Sequence, residues 1–468
     1  GDFNSDGFAD VIIGAAHAAG AAGESYVVFG RGNAAATIAL DTLNGASGFR
    51  LDGAAFDDGS GTAVAGSIDF NADGHDDIII GAPGSNAGAG TSYLVVHDGD
   101  LLGAENFEGG AGDTSGYAVA GAGDVNGDGF GDVLIGAPGA NSNAGAAYVI
   151  FGHASAGGSV IDLMALDGGD GFRLDGIAPG DFAGSALAGA GDVNGDGFDD
   201  LIIGARGADP NGLTDAGQAY IVFGAPVFGS SVDLAMLTGA NGIPLNGAAA
   251  GDAAGTSIAG GRDVNNDGFD DVIVGAPQTG LSKGDAYLVY GGNFTGSADI
   301  IGTERNDVLS GTAAAETIIG GWGNDTINGK GGADVIRGGA GNDTVLYSGL
   351  DFRVDGGVGH DTLLFNGAGR VIDFTRIDNL KFSNFEVLDL RNVNNLDIKL
   401  DITDVLDVSG ASRLRIMGDT NNAVATTDEW SKLSGTVKIG MDSYSRFINE
   451  GVTLLVDTDI DVSGVMLI

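Results

Sequence analysis

Two hydrophobic rhythms run along the chain. Over residues 1–297, short apolar runs recur between turns rich in Gly, Asp and Asn. The strongest are DVIIGAA (10–16), DIIIGAP (77–83), DVLIGAP (132–138), DLIIGAR (200–206) and DVIVGAP (271–277). They are short, rich in β-branched residues and closed by Gly, so they predict buried strands. A small-residue strand precedes four of them: SGTAVAGSI (60–68), SGYAVAGAG (115–123), AGSALAGAG (183–191) and AGTSIAGGR (254–262). A third strand follows each, with Tyr26, Tyr93, Tyr148, Tyr220 and Tyr287 in register. GFRLDG (48–53 and 171–176) and GIPLNG (242–247) predict a fourth. Four short strands per unit predict a β-propeller blade. The Gly/Ala strand fits at the axis, where blades converge, and the apolar strand is covered by blades on both faces.

After Gly296 the rhythm tightens. Gly302, Gly311, Gly320, Gly329 and Gly338 fall nine residues apart. Asp307, Glu316, Asp325, Asp334 and Asp343 keep step, as do Leu309, Ile318, Ile327, Ile336 and Val345. GGWGNDTIN (320–328) and GGAGNDTVL (338–346) carry the nonapeptide pattern GGxGxDxUx, and GGVGHDTLL (356–364) stays in phase. The period predicts a parallel β-roll over 298–365, one apolar residue per turn pointing inward. From about Val371 the glycines thin out. Phrases such as FSNFEVLDLRNVNNLDIKLDITDVLDVSG and INEGVTLLVDTDIDVSG alternate apolar and polar residues and predict strands in a C-terminal β-rich domain, 366–468. The expected fold class is all-β: propeller over 1–297, roll, then this domain.

Between the small-residue strand and the apolar strand sits a nine-residue loop. The five copies are DFNSDGFAD (2–10), DFNADGHDD (69–77), DVNGDGFGD (124–132), DVNGDGFDD (192–200) and DVNNDGFDD (263–271). Each crowds carboxylates that repel one another unless a cation lies among them. Side-chain oxygens at positions 1, 3 and 5, a carbonyl at 7 and Gly at 6 follow the logic of a calcium loop. Position 12 is apolar, so position 9 must close the site. The expected ligands are Asp2, Asn4, Asp6 and Asp10; Asp69, Asn71, Asp73 and Asp77; Asp124, Asn126, Asp128 and Asp132; Asp192, Asn194, Asp196 and Asp200; and Asp263, Asn265, Asp267 and Asp271. The carbonyls of Phe8, His75, Phe130, Phe198 and Phe269 join them. Metal-free Asx hairpin turns are the alternative, but five copies at one ligand spacing favour the cation.

Charge and composition narrow the function. Gly accounts for 88 of 468 residues, yet 43% are apolar, which describes a folded chain with many tight turns. The net charge of −44, with six Lys or Arg before residue 300, argues against nucleic acid and anionic membranes. Half of the 20 basic residues lie from residue 370 on. No stretch is long and apolar enough to predict a membrane helix. There is no cysteine, so calcium is the expected stabiliser in place of disulfides. The five histidines (17, 75, 97, 153 and 360) have no partner at useful spacing, and no hydrolase, metalloprotease or nucleotide motif occurs. The abundant carboxylates are already explained by calcium. The chain is therefore expected not to be an enzyme.

The phrase GDVNGDGFxDxxIGAP resembles the FG-GAP repeat of the integrin α-subunit propeller and its bacterial relatives, over roughly residues 1–297. That resemblance implies a seven-bladed ring, so blades upstream of this chain are expected. The nonapeptides resemble the RTX β-roll of bacterial type I secreted proteins. Calcium is then held by turn carbonyls and Asp carboxylates, here Asp307, Gly320, Trp322, Asp325, Asp334, Gly338, Ala340, Asp343 and Asp361. The last hundred residues resemble the C-terminal region of large RTX adhesins, whose export signal is C-terminal. Together these imply a secreted calcium-binding protein of the bacterial cell surface, acting in adhesion or ligand binding. The expected partners are a protein or glycan ligand on a cell or matrix surface, or copies of itself. A structural subunit of an extracellular layer or filament, and an accessory domain of a secreted hydrolase, are the alternatives.

Overall fold

The computed structural model describes the chain apart from residues 1–2, 5–7, 32–36, 74, 97–103, 155–159, 279–282, 366–370, 378–380, 392, 394, 450 and 468. Two compact units emerge: residues 1–194, 198–262 and 270–295, and residues 195–197, 263–269 and 296–468.

Among the described residues, the first unit contains five sheets in chain order, each built on antiparallel strands, as in a propeller. In each, the apolar strand pairs with the strand that follows it in one repeated register: Ile13 opposite Tyr26, Ile80 opposite Tyr93, Ile135 opposite Tyr148, Ile203 opposite Tyr220 and Val274 opposite Tyr287. The small-residue strands Ala63–Ile68, Ala118–Gly123, Ala186–Gly191 and Ser257–Arg262 lie against one another from blade to blade. The apolar strands Asp77–Ala82, Asp132–Ala137 and Asp200–Ala205 are buried along their whole length. Burying one such Ile or Leu contributes about 1.5–3 kcal/mol. The glycine near the end of each of these three strands is required by close approach: a Cβ on Gly136 would strike the carbonyl oxygen of Gly184 in the next blade, and Gly81 and Gly204 stand likewise against Gly116 and Gly255.

The fourth strands are Gly48–Asp52, Gly171–Asp175 and Gly242–Asn246, as the sequence predicts, plus Ala104–Glu108, which it does not. Two sheets gain a fifth strand. Val160–Asp162 and Ser231–Asp233 run parallel to Ala104–Glu108 and Gly171–Asp175.

In the second unit, strands stack in parallel, at 18-residue steps through the nonapeptides and at wider steps beyond Val354 and Leu363. One column is Ile300, Ile318, Ile336, Val354 and Phe382. The other is Leu309, Ile327, Val345, Leu363, Leu388 and Ile416. Both columns face one apolar core. The ladder runs on past residue 365 into Val387–Asp389, Arg413–Met417 and Val452–Asp457, because each strand presents an apolar residue to the same column. Within the stretch read as strands, Ile402–Ser409 is instead a helix. Asp401 and Asp404 form a reciprocal capping box, Ile402, Val405 and Val408 are buried at helical spacing, and Gly410 ends it in a left-handed conformation, φ 56°. The capping chemistry overrides the alternation.

Candidate metal centres

Three of the propeller loops, 69–77, 124–132 and 263–271, are folded around their own carboxylates. In the loop 124–132, Asp124 Oδ1 accepts the N–H groups of Gly127 (2.7 Å) and Asp128 (3.1 Å), and Oδ2 that of Gly129 (3.1 Å). Asp128 N–H also reaches Asn126 Oδ1 at 3.0 Å, and Asn126 Nδ2 donates to Asp128 Oδ2 at 2.7 Å. Phe130 N–H donates to Asp128 Oδ1 at 3.0 Å. Asp69, Asn71, Asp73 and His75 repeat the bonds among positions 1, 3, 5 and 7, as do Asp263, Asn265, Asp267 and Phe269. Positions 1, 3 and 5 are thus brought to one side of a single tight turn.

Position 9 has a second duty. Asp132 is wholly buried; its Oδ2 accepts Val125 N–H at 2.8 Å and its Oδ1 accepts Gly152 N–H at 2.9 Å, beyond the third strand. Asp200 binds Val193 and Gly224 in the same way, both at 2.8 Å, and Asp10 binds Phe3 and Gly30. Asp77 receives Phe70 N–H, and Asp271 receives Gly291 N–H. This residue ties the loop to its own blade, and each oxygen keeps a second lone pair for a cation. Burial, then the charges of Asp124 and Asp128, push the Asp132 carboxyl well above its ordinary range. Burial and Asp267 raise Asp263. A divalent cation reverses both effects. In the loop 192–200, Asp192, Asn194 and Asp200 are buried, while Asp196 and Phe198 are partly exposed. Asp2 and Asp6 lie outside the described residues; Asn4 and Phe8 lie within them.

In the roll, Asp325, Asp334, Asp343 and Asp361 each use one oxygen and leave the other without a partner. Asp307 N–H donates to Asp325 Oδ1 (2.7 Å), Asp325 N–H to Asp343 Oδ1 (2.7 Å), and Asp343 N–H to Asp361 Oδ1 (2.6 Å). On the opposite side Glu316 N–H donates to Asp334 Oδ1 at 2.9 Å. The Oδ2 atoms of Asp325, Asp334, Asp343 and Asp361 are buried and have no hydrogen-bond partner. A Cβ on Gly320 would meet both Asp325 Oδ2 and the Gly338 carbonyl; one on Gly338 would meet Asp343 Oδ2 and the Gly356 carbonyl. Bare oxygens therefore converge at the glycine turns, which is the donor set a hard cation takes. Burial raises Asp325 and Asp334, pushes Asp343 up to about 6 and Asp361 up to about 8. Asp307 differs: its Oδ2 accepts from Thr303 N–H and Oγ1, both at 2.7 Å, and these bonds hold its carboxyl below the ordinary range. Trp322 is half-exposed and bridges to Ala340, whose carbonyl accepts Gly323 N–H at 2.8 Å.

Among the described residues, no three acidic or histidine side chains gather as a preformed metal cluster. Carbonyl and amide oxygens must complete each site, and the propeller loops hold their carboxylates on backbone N–H groups. Sequence reasoning missed Asp199 and Asp270, which fasten neighbouring loops, and Glu386, which ends the Asp ladder. Their signal was faint: an Asp at position 8 of a loop, and a Glu outside any repeat.

Fold and sites together define a propeller carrying calcium-type loops, followed by a calcium-binding parallel β-roll. The chain carries FG-GAP repeats, matched at residues 1–28, 60–95, 115–150, 183–222 and 254–291, and then the RTX calcium-binding nonapeptide repeat, matched at 294–327, 301–335 and 319–349. It is 34% identical over 184 residues to human phosphatidylinositol-glycan-specific phospholipase D, covering 38% of this chain and 20% of that protein. It is 33% identical over 154 residues to mouse integrin alpha-2, covering 31% and 13%. To chicken integrin alpha-V it is 32% identical over 243 residues, covering 48% and 20%. The chain thus spans at most about a fifth of the length of these relatives.

Proposed function

We propose that this is a secreted calcium-binding protein of the bacterial cell surface, which holds a protein or glycan ligand through its propeller when calcium is bound. It is not itself an enzyme on this reading. The observation that supports it most is the row of buried, partnerless Asp oxygens along the roll. A chain bearing them folds fully where calcium is plentiful, which is outside the cell. Likeness to integrin α subunits supports a ligand-binding propeller. Five propeller ions and several roll ions form the expected complement.

A second reading follows from the likeness to a phospholipase D: the chain is the accessory part of a secreted hydrolase. The test is capture of the full chain on glycan and matrix-protein arrays, in calcium and in EGTA. Capture in calcium and release by EGTA is expected. A calcium-loaded chain that captures nothing contradicts ligand binding, and calcium-driven ordered assembly favours a layer-forming subunit instead.

A further inference from the structure

The geometry points to one more calcium site, at the end of the roll and past its last sequence repeat, formed by Asp361, the main-chain carbonyl of Asn384 and the carboxylate of Glu386. It rests on the calcium reading of the nonapeptide turns.

Two columns that run through the turns continue into this segment. In the Asp column, each N–H donates to the carboxylate 18 residues ahead, from Asp307 through Asp361. The next rung is 25 residues on: Asp361 N–H donates to Glu386 Oε2 at 2.6 Å. In the glycine column, a Cβ on Gly302, Gly320 or Gly338 would strike the carbonyl oxygen of Gly320, Gly338 or Gly356 in turn. A Cβ on Gly356 would strike the carbonyl of Asn384. Asn384 therefore occupies the glycine rung and Glu386 the aspartate rung. They are two residues apart where a nonapeptide has five, so no repeat pattern finds them. Asn384 reaches its place in a left-handed conformation, φ 59°, and its Nδ2 is fixed on Asp355 Oδ1 at 2.7 Å.

The ligand is indicated by Asp361. It is completely buried and its Oδ2 has no partner. The charges around it are those of Asp343, Glu386 and Asp355. His360, which reaches Glu386 Oε2 with Nδ1 at 3.9 Å, is itself exposed. A buried carboxylate oxygen with no donor, in a segment that carries only negative charge beside it, calls for a divalent cation.

Native mass spectrometry of the full chain in calcium counts the ions. Glu386→Ala is expected to carry one calcium fewer than wild type at saturation. Glu386→Gln keeps an acceptor for Asp361 N–H, and is expected to bind its last ion roughly 10-fold more weakly or worse, since ligand charge sets affinity. Should Glu386→Ala lose its β circular dichroism, Glu386→Gln decides. Equal ion number and equal affinity in the folded variants overturns this site alone. A wild type that carries no calcium overturns the site together with the reading beneath it.

Discussion

Asp199 Oδ2 accepts the backbone N–H of Asp124 at 2.8 Å, while Asp199 N–H donates to the Asp124 carbonyl at 3.1 Å. These residues belong to successive calcium loops 75 positions apart. Asp270 clasps Asp192 in the same way, at 2.9 and 3.1 Å. Where the position-8 residue is Gly131, only the main-chain half remains: its N–H donates to the Asp69 carbonyl at 2.8 Å. Loop geometry is therefore passed from blade to blade through the residue beside the last ligand.

Asp199→Ala leaves the buried Asp124 N–H without an acceptor, which costs about 1–3 kcal/mol. The expected outcome is a lower urea midpoint in calcium and weaker binding at the loop 124–132, with the loop 69–77 unchanged. Urea titration and calcium-dependent NMR of the two loops check this.

Asp343→Ala and Asp307→Ala should differ. Asp343 points a partnerless oxygen into the turns, whereas Thr303 already satisfies that oxygen of Asp307. Loss of Asp343 is expected to weaken calcium binding by at least about tenfold, on the ground that ligand charge and number set affinity. Loss of Asp307 should change it much less. Calorimetric titration of each full-length variant separates the two.

Asp404 supplies a pH dependence away from the turns. Burial, and then the Asp401 charge, push its carboxyl up to about 8, against about 3.9 in an unfolded chain. A raised carboxyl favours the neutral acid in the fold, so its stabilisation is present below about pH 4 and lost as pH rises through 8. In saturating calcium, Asp404→Asn should leave stability near pH 4 unchanged. It should raise stability at pH 8 to 9 by roughly 1–3 kcal/mol, because keeping a buried carboxyl protonated costs about 1.4 kcal/mol for every tenfold fall in proton concentration, and relaxation of the site takes back part of that. Tm against pH for both proteins reads this directly.

Much of the molecule is legible in the sequence because two periodicities are tied to backbone geometry. Tyr26, Tyr93, Tyr148, Tyr220 and Tyr287 mark the third strands because each repeat places them against the same position of the second. The inward residues Ile318, Ile327, Ile336 and Val345, alternating between the two columns, are readable because a nine-residue step returns each side chain to the shared core. What escaped lacks a period of its own. Ala104–Glu108 takes its place as a fourth strand by pairing Tyr93 with Asn106, not by a shared motif. Ile402–Ser409 is helical through its capping box, which a strand-like alternation hid. Asp199 goes unmarked in the sequence, since a hydrogen bond to another blade leaves no trace in local spacing.

The central claim is that calcium holds this architecture together, and melting the full chain by circular dichroism with and without the ion tests it most directly. In millimolar calcium a cooperative β-sheet transition at high temperature is expected; in excess EGTA the β signal should largely collapse or melt far lower, and recover when calcium is restored. A β spectrum and Tm that are the same in both buffers would contradict the claim.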